Sequence, residues 1–495
     1  MGLNATLKPL DATGFGYEQA RHLLNRAGFG GTPQQIATLQ NMGLAGAVRH
    51  LVEYDRVPAD LPDPRVDADL IRPPTDEEKL AYATARKDND EEALEQLRAK
   101  VIERQGMDRR QMRDLAKWWL ARMIQTPRPL EEKLTLLWHG HFASNFRSVR
   151  DSHLLWQQNQ FFRTHAAGSF ADLARGIIRD PAMIVFLNNN QNRKRAPNEN
   201  LARELMELFT LGEGQYTEAD IKEGARALTG YTYNDNAFEL SDRNHDGGGK
   251  TILGVRGNHD GEAFVDILLA QRACSQFVAY KLYKHFVADL TEPKAVTGTQ
   301  RGYINQLARL LADNRYQLRP VLTAMFSSEH FYDPQIVGNQ IKCPAQLVVG
   351  TVRTLNTPVR DLDQLHDAMG RMGQRLFDPP SVAGWDGGRT WINTATLFVR
   401  QNVAALLITG KSPQDSKWSR DALAYDPMFL VSDLQPLSPE SASDRLLGTL
   451  IGGHAPRDRR DMLVKFLYDR GGNVTADTVL ALLLLITSMP EYQLC

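Results

Sequence analysis

Cysteine is scarce in this chain: Cys274, Cys343 and Cys495 are the only three in 495 residues, and none forms a Cys-x-x-Cys pair. That spacing excludes a disulfide framework and a thiolate zinc cluster, and leaves room for one incidental bridge. Charge of one sign is also missing. The 58 basic and 59 acidic residues leave a net charge of −1, so no general attraction to nucleic acid or an anionic membrane is expected, and no nucleic-acid partner is assigned. Long hydrophobic runs are absent too. The longest, "VLALLLLI" at 479–486, falls far short of the ~20 residues that span a bilayer, so no membrane insertion is expected. The opening residues, "MGLNATLKPLDATGFGYEQA", carry no signal-peptide apolar run. The chain therefore reads as soluble, with its compartment open because a removed export signal leaves no trace. Several templates fail outright: there is no His-Glu-x-x-His, no Gly-x-Ser-x-Gly, no Glu-x-x-His pair and no Cys-x-x-Cys-His.

What the chain does contain is helical periodicity. "YEQARHLLNRAGFG" reads as a helix that stops at Gly28 and Gly30, and "TPQQIATL" restarts with Thr32 as N-cap, Pro33 at the first helical position and Gln35 closing a capping box. Residues 75–115 are dense in both charges with sparse apolar positions at Leu80, Leu94, Leu97 and Val101, which predicts a protruding helical hairpin with a solvated face. From Asp114 to Phe146 two helices are expected, parted at "TPRP". Two long irregular segments interrupt the pattern, a glycine-rich one at 231–261 and a tryptophan-containing one at 377–393. The fold class is mainly α: a multi-helix bundle with long Gly-rich and Trp-containing loops and little β. We divide it into an N-terminal bundle (1–180), a central portion (181–290) and a C-terminal helical portion (291–495).

Three constellations carry chemistry. In "NENLARELMELFTLG" (198–212), Asn198 reads as the cap, and Asn200, Arg203, Glu204 and Glu207 share one face beside an apolar one of Leu201, Leu205, Leu208 and Phe209. The bland reading is a solvated face with an Arg203–Glu207 pair; the alternative is that two carboxylates one turn apart grip a divalent cation or share a proton. In "LLWHGHFASN", His139 and His141 stand at i and i+2, so joint metal ligation needs the helix to end near Trp138, which Gly140 makes feasible. "SDRNHDGGGKTILG" fails as a phosphate-binding loop because Asn244 replaces the first glycine, so no nucleotide is expected; as a calcium loop it carries Lys250 and Leu253 at positions 9 and 12, which makes calcium the lesser choice. It remains a polar loop presenting His245, Asp246 and Lys250. His285, in "YKLYKHFV", reads as a core side chain among Tyr280, Leu282, Tyr283 and Phe286.

Taken together, "RHLLNRAGFGGTP", "LLWHGHFASN", "NENLARELMELFTLGEGQYTEADIKEGARALTGYT", "HDGGGKTILG" and "FDPPSVAGWDGGRTWINTATLFVR" resemble the bacterial family called domain of unknown function 1800, from about residue 17 to the C-terminal "PEYQLC". The resemblance implies a helical bacterial protein without an agreed activity, often exported, often encoded beside a partner of the domain of unknown function 1501 family. The present start carries no export signal, which puts that localisation in doubt. The family's motif residues fall on Arg26, His139, His141, Glu204, Glu207, His245, Asp246, Lys250, Trp385 and Trp391, and as mostly polar residues they are expected to form one site.

Three functions follow. The first is a metal-assisted enzyme, hydrolytic or oxidative, in which His139, His141, Glu204 and Glu207 hold zinc, manganese or iron, His245 or Asp246 is general acid/base and Lys250 balances charge. The second is a metal-free enzyme in which Glu204 and Glu207 share a proton. The third is a scaffold that uses the charged hairpin and the tryptophan loop as contacts.

Overall fold

A computed structural model describes residues 6–290, 296–411, 424–452 and 455–495. These residues form twenty-two α-helices and two two-stranded antiparallel sheets, so the chain is mainly α as its periodicity predicts. The cap read at Thr32 is made, whereas the one read at Asn198 is not: the helix Asn200–Glu204 has Glu199 at its N-cap with no side-chain hydrogen bond, and Asn198 Oδ1 accepts from Asn200 N at 3.0 Å just before it. Thr32 Oγ1 accepts from Gln35 N, with Pro33 opening the helix Pro33–Asn41, and Thr75 caps Asp76–Lys87, the first arm of the charged hairpin. The second arm does not stop near 115. It continues as one helix of 35 residues, Glu91–Gln125, roughly 50 Å long at 1.5 Å per residue. Its outer half packs against the first arm and buries only Leu94 before Asp108, whereas its inner half buries Met112, Leu115, Trp119, Leu120 and Met123.

Two apolar clusters make the core. One gathers Phe15–Tyr54, Leu130–Phe142 and most of the apolar residues from Phe162 to Ile336; the other joins the inner half of the long helix to the C-terminal helices around Leu347, Leu407, Leu446 and Leu482. The helix Pro129–His141 lies between them, giving Leu134 and Trp138 to the first and Leu136 to the second. It is fixed by charge as well as by packing. Glu132, with no exposure, accepts from Arg163, from Arg122 at 2.6 Å and from Trp119 Nε1 at 2.9 Å. Burial pushes this carboxyl up, and Arg163 and Arg122 more than reverse that, holding it below the usual range. No helix among the described residues is long and apolar enough to cross a membrane.

Candidate functional site

The "HGH" helix does not end near Trp138. It runs from Pro129 to His141, so the two imidazoles at i and i+2 leave it in different directions. The expectation that Gly140 breaks the helix is therefore corrected, and the reason for glycine is tertiary. A Cβ on Gly140 would stand 3.2 Å from the Trp385 ring, and one on Gly384 would stand 2.0 Å from Gly140 O. The tryptophan loop lies directly on the helix, so a side chain at Gly140 would crowd the Trp385 ring. His139 enters an aromatic cage with ring centroids of Trp119, Phe377 and Trp385 at 5.3, 5.5 and 5.7 Å, and neither of its nitrogens has a hydrogen-bond partner. His141 packs against Phe142 on the other side and donates through Nε2 to Phe209 O at 2.9 Å, leaving Nδ1 unpartnered. Burial pushes both imidazoles down to about 3, so both are neutral.

The carboxylate helix departs from the sequence reading in a second way. It is α-helical over Asn200–Glu204 and then widens into a π-helix, Leu205–Thr210, which shifts the phase of everything after Glu204. Arg203 pairs with Glu199 at 3.1 Å and Glu218 at 2.8 Å and makes no pair with Glu207. Glu207 instead accepts from Tyr216 Oη. Glu204 and Glu207 remain neighbours: burial first and the Glu207 charge second push the Glu204 carboxyl up. Among the described residues, however, no three His, Cys, Asp or Glu side chains cluster closely enough to hold a metal ion.

The glycine-rich loop uses its polar groups on itself. His245 Nδ1 donates to Thr229 O at 2.8 Å, Asp246 pairs with Arg226 at 2.7 Å, and Lys250, 1% exposed, donates to Asp246 O and Gly248 O. Together they pin the loop and its short strands Lys250–Ile252 and Val255–Gly257 to the helix Glu218–Ala227. None of the three lines the cavity described next.

A cavity of about 160 Å³ opens where the Pro129–His141 helix faces the helix Arg272–Phe286, under the loop carrying Trp385 and Trp391. Lys133, Gly140 and His141 line it from the first helix, and Lys281, Lys284 and His285 from the second. Lys281, Lys284 and His285 fall at i, i+3 and i+4 and so share one helical face. Lys284 donates to Asp386 O at 3.0 Å, which ties the tryptophan loop down, and has Asp289 and Asp386 to offset its charge. Among the described residues neither Lys133 nor Lys281 has a carboxylate partner, and the groups that raise Lys133 are Cys343 and Cys495. Lys133 is 6% exposed, bonded to Gln346 Oε1, and held down by burial. Lys281 lies 5.0 Å from the Phe277 ring, and burial followed by the Lys284 charge lowers it to about 8. His285 Nε2 and Trp385 Nε1 are buried with no partner. Arg26 stands behind, donating to Phe286 O and Cys495 O with Nη2 unpartnered.

Of the motif residues expected in one site, the structure thus brings only His141, Trp385 and Trp391 to this cavity. Lys133, Lys281, Lys284 and His285 are the residues that the sequence reading missed. Comparison of the chain with family models matches residues 22–494 to one described as Protein of unknown function (DUF1800). Comparison with curated proteins and with solved structures yields no match. The chain belongs to the DUF1800 family.

Proposed function

We propose that this protein binds a small molecule bearing a carboxylate or phosphate group in the cavity beneath Trp385 and Trp391. The observation that carries the reading is two lysines, the buried Lys133 and the half-buried Lys281, lining one cavity with no ion pair to either among the described residues, while the Asp289 and Asp386 carboxylates that also line it act on Lys284. Burying an uncompensated charge is costly, and an anionic ligand offsets that cost. His285 and Trp385 supply further ring nitrogens without partners, and the volume is close to the roughly 150 Å³ that accommodates benzene in an apolar cavity. A compact anionic head fits.

Titration calorimetry with inorganic phosphate and with citrate tests this. Saturable binding of at least one is expected, weakened at least tenfold by Lys281→Met, since a hydrogen bond to a charged group is worth about 1.5–3 kcal/mol. The pH dependence has a definite sign. A bound anion raises the lysine's pKa above its free value of about 8, so affinity is full below pH 8 and falls as pH rises above it. Absence of saturable binding, or binding indifferent to Lys281→Met, contradicts the reading.

The metal-assisted reading retains Glu204 and Glu207 as neighbours, but it needs imidazole ligands from His139 and His141; His141 Nε2 is already bonded to Phe209 O, and among the described residues no three His, Cys, Asp or Glu side chains cluster closely enough to hold a metal ion. We therefore expect elemental analysis of the purified protein to give the same metal content for the parent and for Glu204→Gln. Stoichiometric metal lost in that variant would restore the metal enzyme.

A further inference from the structure

The charged hairpin buries little of its own. In the arm Asp76–Lys87 only Ala85 is buried, and in the long helix only Leu94 is buried before Asp108. Meanwhile Leu80, Tyr82, Val101 and Ile102 stand 69%, 44%, 44% and 63% exposed. A short helix and the outer half of a long one with so small an interface are marginal on their own. Between them runs a groove of about 440 Å³ with Tyr82, Leu97, Val101 and Ile102 as its apolar lining.

Charge is unevenly placed along the same hairpin. Lys79, Arg98, Lys100 and Arg104 border the groove, with Glu78 already taken by Arg72 at 2.7 Å. Among the described residues Lys79 pairs with Asp76 and Arg104 with Glu78, while Arg98 and Lys100 are engaged by no ion pair. The tip beyond carries Asp88, Asp90, Glu91, Glu92 and Glu95 against only Arg86 and Lys87, and among the described residues these acids are likewise in no ion pair. Tip and groove are separated by about 10 Å of helix, seven residues at 1.5 Å each.

We propose that this hairpin is a homodimerisation surface, in which two copies pack antiparallel so that the acidic tip of each meets the basic groove of the other. A two-fold axis crossing the long helix near Leu97 brings each tip onto the partner's groove. The same operation covers both apolar linings, as an isologous contact requires. The resulting four-helix arrangement buries residues that the single hairpin leaves in water.

Sedimentation velocity on the full chain over a concentration series tests it. The parent is expected to form a dimer that weakens with added salt, and Ile102→Glu, a substitution at an exposed site that leaves the circular dichroism unchanged, to be monomeric with dissociation at least a hundredfold easier. Arg98→Glu/Lys100→Glu and Glu91→Lys/Glu92→Lys each place like charges on tip and groove, so each alone is expected to be monomeric. Mixed one to one, they are expected to form a heterodimer, because each tip then meets a groove of opposite sign. A parent that stays monomeric, a dimer that survives Ile102→Glu, or charge variants that fail to rescue each other overturns the proposal.

Discussion

Replacing Glu132 with alanine is expected to lower the free energy of unfolding by about 3–5 kcal/mol, the range found when one partner of a buried ion pair is removed. Three donors converge on this carboxylate, the guanidinium groups of Arg122 and Arg163 and the Trp119 indole. Without it, Arg163 is left 7% exposed beside a cavity, with its charge unmatched. Glu132→Gln should recover the shape and part of the hydrogen bonding but little of the stability, since the amide cannot balance two cations. Both are read from the urea midpoint followed by tryptophan fluorescence, with Trp119 as an adjacent reporter. The pH dependence supplies an independent check. The folded carboxyl titrates below its unfolded value, so its contribution is present above the ordinary glutamate pKa and is lost as pH falls through the depressed one. The alanine variant should therefore be less sensitive to acid than the parent. A change below about 1 kcal/mol, as is usual for exposed pairs, would show that the three donors find water instead.

How legible all this was in the sequence depends on how local the determinant is. Capping is local: Thr32, followed by Gln35 three residues on, marks a helix start that forms as read. Gly140 is the opposite case. Its low helix propensity suggests a stop, yet the helix carries through it because Trp385, far along the chain, needs the space. The π-helix after Glu204 leaves no signal in residue type at all. The cavity lies between these extremes. Lys281, Lys284 and His285 fall on one helical face, but Leu282, Tyr283 and Phe286 on the same helix are buried as read, and they dominate its pattern. A helix can bury one face and line a cavity with another, and only the position of Lys133 opposite shows which face matters. Conversely, His245, Asp246 and Lys250 are polar residues that packing does not require on its face, yet they are consumed in holding a glycine-rich loop to its neighbouring helix. A polar motif residue is thus as readily a fastener as a reagent.

Gly384→Ala is expected to remove the cavity's function while leaving most of the fold in place. At φ +79° this residue occupies the left-handed region, which alone disfavours an alanine by about 1 kcal/mol. The larger effect is steric: the added Cβ would lie 2.0 Å from Gly140 O, which is backbone within a helix and cannot rotate away. The loop must therefore lift. Trp385, whose ring rests against Gly140, moves with it, and so does the hydrogen bond from Lys284 to Asp386 O that closes the cavity's rim. Water then reaches Lys281, which relieves the burial that lowers its pKa and weakens its attraction for an anion. The expected result is a red-shifted tryptophan emission together with at least a tenfold loss of phosphate or citrate affinity, whereas far-ultraviolet circular dichroism stays within error of the parent. Gly140→Ala meets the Trp385 ring at 3.2 Å, a contact that a small ring shift relieves, so its effect should have the same direction and a smaller size. If Gly384→Ala binds anions as tightly as the parent, the tryptophan loop is a bystander and the lysines act without it.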